Sequence, residues 1–413
     1  MLKFAIVGFG SRGQCFGKLI GQDKDACLYA VAEPVEKNIE KAVSMYGVKR
    51  ERCFRDSDAF FSQPKMCDAV FICTQDAQHY ADAMRALELG YDVCLEKPAA
   101  VTIEQCIGIR DKARELGRKV ILTHVLRYAP FFIKIKELID GGGFGKVMTI
   151  NLTENIAYWH FALGFVRGPW RNMEESTPTI VAKCCHDLDL LVWFMGEKCK
   201  AVNSYGGLSY YKAENAPKGS AEHCADCQPA VKEKCLYNSY KIYPERVKNP
   251  VVGGMSGIDI HNVNSVLDSK SHPWSRCVFH SDNDAVDHQV VNMLFESGAT
   301  AHLTMTAFSN ECYRYIKVHG TQGEAYGNLD DGILYYTAYG KPREVIDLNK
   351  TTDVTLADGH GGGDLFLYKD FCDYIAGKAT SRSRTSIETS IESHIIGFKA
   401  EESRKLGGEN MIL

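Results

Sequence analysis

Residues 2–33 constrain the chain most. A short apolar run, LKFAIVG, leads at once into Gly8, Gly10 and Gly13, spaced as G-x-G-x-x-G, and then into a stretch where Cys15, Phe16, Leu19 and Ile20 recur at helical spacing. Strand, tight glycine turn and helix in that order bring backbone close to whatever lies above the turn, and the helix N-terminus offers unpaired N–H groups to an anion. A second apolar run, LYAVAEP, ends on Glu33, about 20 residues beyond the glycines.

That arrangement predicts a dinucleotide site. The pyrophosphate is expected on the turn formed by Gly8, Phe9, Gly10, Ser11, Arg12 and Gly13, and the adenosine ribose on Glu33. A carboxylate at this position binds both ribose hydroxyls and repels a 2′-phosphate, so NAD is favoured over NADP, with Arg12 and Lys37 the phosphate partners within reach.

The same alternation continues through a polar helix ending at Tyr46-Gly47, the run CDAVFICT, a helical stretch from Gln78 to Leu89, YDVCLEKP and KVILTHV. Strands alternating with helices demand a parallel sheet with right-handed crossovers, so residues 1–122 are read as a doubly wound (Rossmann) α/β domain binding its ligand at the strand C-termini. Beyond that point KVMTINLTENIAYW, DHQVVNMLFES, ATAHLTMTAFS and YRYIKVHG have extended, β-branched or period-two character. Residues 123–363 are therefore expected to form an α+β domain on a large, mostly antiparallel open sheet, interrupted by a Gly-, Ser-, Asn- and Cys-rich insertion at about 203–272. Segments 364–377 and 386–406 read as amphipathic helices, so residues 364–413 are expected to pack back on the structure.

A chain of 413 residues with 45% hydrophobic content buries more than one core, and its net charge of -4 provides no basic field for a nucleic acid. No run of eighteen apolar residues and no signal-like leader is visible, so a cytoplasmic protein without membrane contact is expected. Most of the 16 cysteines sit singly in apolar runs and are read as reduced core residues. The exception is HCADCQPAVKEKC, where His223, Cys224, Cys227 and Cys235 are compact enough for structural zinc but provide only part of a tetrahedral set. A reduced insertion and a reversible disulfide remain open beside it.

Chemistry concentrates at a few places. Thr74 ends the CDAVFICT strand beside the expected cofactor, and His79 follows at the helix start, where packing or capping is an equal reading. Glu96-Lys97-Pro98 ends the next strand, which brings Lys97 out at the cleft; oxidising an alcohol requires a proton acceptor beside the hydroxyl as hydride leaves carbon. In AKCCHDLDLLVWFMG, His186 and Asp189 are three apart and share a helical face. Tyr158, His160, Arg167, Trp170 and Arg171 form an aromatic and basic stretch suited to stacking and hydrogen-bonding a sugar, and Arg127 falls at the junction after the last parallel strand.

GFGSRG, the acidic end of the second strand, T-x-D-x-x-H, E-K-P and H-x-x-D together resemble the glucose-fructose oxidoreductase and inositol dehydrogenase (Gfo/Idh/MocA) family over nearly the whole chain. The resemblance implies a nicotinamide-dependent oxidoreductase acting on a sugar, sugar derivative or polyol. It implies that Lys97 hydrogen-bonds the reacting hydroxyl, with Glu96 beside the cofactor, that His186 contacts substrate, and that Asp189 orients it. The inositol dehydrogenase pattern D-x-x-x-H is not kept: Ala182 stands four before His186, and Lys183 is read as a substrate-binding replacement. A redox-neutral glycosidase that oxidises and eliminates on tightly held NAD is the alternative, and a non-catalytic NAD-binding regulator trails. The open sheet suggests a homodimer or homotetramer.

Overall fold

Five apolar runs and one two-residue strand become one parallel sheet. In the computed structural model, which describes residues 1–248, 258, 260–350, 360–378 and 381–413, these are β1 (Leu2–Val7), β2 (Ala26–Ala32), β3 (Cys53–Phe54), β4 (Ala69–Ile72), β5 (Asp92–Leu95) and β6 (Val120–Leu122). Their order, β3-β2-β1-β4-β5-β6, is that of a doubly wound fold, with every neighbouring pair parallel. β3 has only two residues, too few to show a period, and the sequence pattern did not mark it.

Both faces of this sheet are covered, which is why its central strands read as unbroken apolar runs. Ala5, Val7, Val70, Ile72 and Leu95 pack against helices Ile103–Glu115 and Ile387–Lys405 through Cys106, Ile109, Ile387 and Ile391. Phe4, Ile6 and Phe71 face the other way, onto Phe16 and Ile20 of helix Ser11–Gln22 and onto Leu367 and Phe371 of helix Gly363–Ile375. The two C-terminal helices thus clasp the first sheet from opposite sides.

The second sheet has nine strands: β7 (Val147–Ala157), β8 (Cys199–Gly207), β9 (His288–Phe295), β10 (Thr300–Ser309), β11 (Tyr313–Gly320), β12 (Gly323–Asn328), β13 (Ile333–Ala338), β14 (Glu344–Asp347) and β15 (Met411–Ile412). Its order is β14-β13-β12-β11-β7-β10-β9-β8-β15, and all neighbours are antiparallel except β7 and β10. Alternate residues point inward, Leu303 and Met305 of β10 for example, against Leu188 and Leu191 of helix Cys185–Met195.

Two expectations shift. The extended run predicted through Trp159 stops at Ala157, where Tyr158–Phe161 turns into a short helix that buries Phe161 and leaves Tyr158, Trp159 and His160 half-buried. The irregular insertion predicted from Asn203 begins only after Gly207, because β8 continues to that residue, paired with β9. The insertion therefore connects two adjacent antiparallel strands, and it carries a small core of its own around Tyr243, Val263, Leu267 and Trp274.

Candidate active site

The glycine turn is shaped by close contacts. A Cβ on Gly8, whose φ is +87°, would lie 2.5 Å from the carbonyl oxygen of Cys73, and one on Gly13 would lie 2.2 Å from that of Gly8. Gly10 is different: a Cβ there would meet nothing within 4 Å, because it would project into the cradle above the turn. Helix Ser11–Gln22 begins at Gly10 without a side-chain cap, so its first N–H groups remain available to an anion. At the end of β2, Glu33 is buried, and its Oε1 accepts from Val35 N at 3.0 Å and Asn38 Nδ2 at 3.3 Å. Those bonds fix the carboxylate beside the turn, and the residues present fit a dinucleotide.

Other members of the expected cofactor set have partners within the protein. The Phe9 ring is buried, 6.1 Å from that of Tyr46, so only its backbone faces the cradle. Thr74 donates its hydroxyl to Asp82 at 2.9 Å. The His79 ring is clamped between the carbonyls of Pro98 (2.6 Å) and Thr74 (3.0 Å), which binds the end of β4 to the turn after β5. Arg12 is engaged within the protein: its Nε bonds Glu96 and its Nη2 bonds Asp364 at 2.7 Å. His360 completes this clasp by donating from Nδ1 to Asp364 at 3.0 Å. Burial alone would raise both carboxyls, but Arg12 holds Glu96 and Asp364 below the usual range.

At the C-terminal end of β5, the Lys97 amide donates to Glu96 at 3.0 Å and to Thr123 at 3.1 Å, while its Nζ donates to the carbonyl of Ala182 at 2.8 Å. The ammonium is thereby held against the segment that carries Lys183 and His186. Burial, then Lys97, hold His186 neutral well below its ordinary value. Its ring lies 5.7 Å from that of His124 and 5.8 Å from that of His360, and its buried Nδ1 has no hydrogen-bond partner among the described residues. His160 joins the group: burial and then Lys183 and Lys97 pull it to about 3. Lys183 pairs with the buried Glu154 at 3.2 Å, and Arg314 bridges Glu154 (3.0 Å) and Asp187 (2.7 Å). Burial would lower Lys183, but Glu154 raises it above its ordinary value. Burial also pushes Asp187 up to about 6, against the pull of Arg314.

The structure thus brings Lys97, Lys183, His186 and His160 together and adds His124, Glu154, Arg314 and His360, none of which the sequence singled out. Asp76, buried in the T-x-D-x-x-H turn, receives Trp170 Nε1 at 3.5 Å and the hydroxyls of Ser176 and Thr177 at 3.4 Å, which joins the two sheets' loops over the cleft.

The remaining candidates are engaged with the protein itself. Arg127 and Asp189 form a buried two-pronged ion pair, both bonds 2.6 Å, and His124 Nδ1 lies 2.9 Å from the same carboxylate. Arg167 is buried under the insertion and donates to the carbonyls of Arg276 and Tyr237 and to the Tyr243 hydroxyl. Arg171 pairs with Asp282 and Glu175 at the surface, and Tyr158 packs edge-on to Tyr237 at 5.9 Å. His124, Cys185 and His394 bring donor atoms within 4.8 Å of one another, but His394 Nε2 already accepts from Ala99 N at 2.9 Å. Among the described residues, no helix is long and apolar enough to cross a membrane.

A parallel sheet with a glycine turn, facing a mostly antiparallel sheet across a Lys/His cleft, defines a two-sheet α/β class of protein, and comparison with known proteins specifies it. Residues 2–124 match the family described as "Oxidoreductase family, NAD-binding Rossmann fold" and residues 136–393 its "C-terminal alpha/beta domain"; the chain belongs to this Gfo/Idh/MocA oxidoreductase family. It is 28% identical over 321 residues to the protein YteT of Bacillus subtilis, covering 73% of this chain and 71% of YteT. It is 25% identical over 222 residues to the inositol 2-dehydrogenase/D-chiro-inositol 3-dehydrogenase of Lactiplantibacillus plantarum, covering 52% of this chain and 58% of that enzyme. An inositol dehydrogenase homologue from Azotobacter vinelandii, solved with NADH and myo-inositol, shares the fold with a TM-score of 0.68 at 17% identity, covering 100% of this chain and 97% of that one.

Proposed function

We propose that this protein is an NAD-dependent oxidoreductase that exchanges hydride with a CH–OH carbon of a sugar, sugar derivative or polyol. The observation that carries this reading is the 2.8 Å bond from Lys97 Nζ to Ala182, which brings a cation from the nucleotide sheet onto the His160–Lys183–His186 group of the other half. Family membership and the inositol dehydrogenase relatives support the substrate class, and Glu33 supports NAD.

NAD supplies the hydride acceptor. Lys97 hydrogen-bonds the reacting hydroxyl, its amine form receives the hydroxyl proton as the C–H bond breaks, and its ammonium returns that proton to the carbonyl oxygen in the opposite direction. His186 and His160, kept neutral by burial and neighbouring cations, offer one N–H and one lone pair each to flanking hydroxyls. Lys183 adds N–H donors at a fixed position, which suits an electron-rich, hydroxyl-dense substrate. Asp189 and Arg127 are positioning residues: their pair anchors the helix that presents His186.

The test is a panel of sugars and polyols with NAD, followed by NADH absorbance. One or more should turn over, and Lys97→Met should lose two to four decades in the chemical step, the usual contribution of a positioned acid–base group, while NAD still binds. Lys97→Met with unchanged turnover overturns the assignment. Cleavage of a glycoside without net NADH would replace net oxidation by the transient kind.

A further inference from the structure

Four cysteines of the insertion face one small cavity. Cys224, Cys227 and Cys235 line it as their spacing suggested, and Cys277, 42 residues further on in an apolar run, lines it with them. His223 is not part of the set, since its Nδ1 is bonded to Ser275 at 2.9 Å. The backbone ties the two ends together: Cys277 N donates to Glu222 O at 2.7 Å, and His223 bridges Arg276. All sixteen cysteines of the chain are free, so no disulfide claims these four.

Two features of the surroundings call for negative charge. Arg167 is 1% exposed, and its partners are two carbonyls, a tyrosine hydroxyl and the Cys224 sulfur at 3.7 Å; no carboxylate pairs with it among the described residues. A buried guanidinium without a counter-charge is costly, and a thiolate centre beside it removes that cost. Lys232 lines the same cavity. Four thiolates around a doubly charged core carry a net charge of about -2, which these two cations match. The Ala221 amide, 3.3 Å from the Cys227 sulfur, adds an N–H···S bond of the kind that tunes ligating thiolates.

The sulfurs are spread too widely for one small ion. No three of them lie within 4.8 Å of one another. Tetrahedral zinc, with Zn–S of about 2.3 Å, would require all four sulfurs about 3.8 Å apart. A cubane cluster holds one thiolate on each of four irons and separates the sulfurs further.

We propose that Cys224, Cys227, Cys235 and Cys277 hold a four-thiolate metal centre the size of an iron–sulfur cluster, buried behind the aromatic segment that carries His160 and Trp170. The proposal is independent of the substrate and of the hydride chemistry. It is tested on the full-length protein under anaerobic conditions, with equal ferrous and ferric iron plus sulfide, and in parallel with zinc alone, each followed by desalting and metal analysis. About four irons and four sulfides per chain with a broad visible band that reductant bleaches are expected. Cys277→Ser, checked for folding by NAD titration, should lose the band and most of the iron. One zinc per chain with no iron retained overturns the cluster, and retention of neither metal overturns the site. Should Cys277→Ser fail to fold, the metal content of the unmodified protein decides alone.

Discussion

Asp189→Asn removes one charge from a pair whose side chains are 5% and 1% exposed and leaves the guanidinium of Arg127 where water cannot reach it. The replacement keeps the volume, so no cavity enters the estimate. Two charge-assisted bonds of 2.6 Å are weakened or lost, each of which contributes about 1.5–3 kcal/mol. Uncovering one member of a buried pair costs about 3–5 kcal/mol by the same reasoning. The two figures agree, so a loss of about 4 kcal/mol is expected, read as a lowered urea midpoint with an unchanged slope. Arg127→Met together with Asp189→Leu removes both charges, and most of the loss should return, giving a coupling of at least about 1.5 kcal/mol in the double-mutant cycle. If Asp189 instead served the substrate directly, Asp189→Asn would reduce turnover and leave the midpoint in place. A destabilisation below about 1 kcal/mol, or a double variant as unstable as the two singles added, refutes the positioning role.

Further outcomes follow from the same geometry. Gly10→Ala should leave the unfolding midpoint within error, yet weaken NAD at least tenfold by titration, because its Cβ meets only open cradle; Gly13→Ala, pressed to 2.2 Å from a carbonyl, should lower the midpoint as well. Glu33→Ala should weaken NAD and narrow its preference over NADP, and an unchanged ratio counts against Glu33. Stability should fall as pH drops from about 6 to 5. His160 and His394 (each about 3 when folded) and His186 resist a proton that the unfolded chain takes near 6.5, whereas Asp187 (about 6 when folded) takes one earlier than its unfolded form. The histidines outnumber the opposing carboxyl, so stability should fall with falling pH over that interval, and His394→Gln should make the fall shallower; a flat stability profile there contradicts the buried neutral histidines.

What could be read ahead of the structure was whatever is decided locally. The glycine turn, Glu33 and Lys97 are each placed by the strand that precedes them, so spacing along one element suffices. Side-chain partners are another matter. The sequence offers Arg12 for phosphate and Arg127 for substrate, but it cannot show that Glu96 and Asp364 bond the first and Asp189 the second. His360 has no periodicity around it, but its glycine-flanked position just before a helix N-terminus was a usable signal of a special backbone, and its φ is +54°. Cys277 was hidden because a single cysteine in an apolar run resembles the dozen core cysteines; the bridge between His223 and Arg276, a contact distant in sequence, brings that segment back beside Cys224.

The clasp between the glycine loop and the C-terminal helix also has a timetable. Asp364, the partner of Arg12, leaves the ribosome 352 residues after it. At about 5–20 residues per second, the arginine waits tens of seconds with its side chain uncommitted. The glycine loop therefore receives its finished setting only after the segment that carries Asp364 has been made.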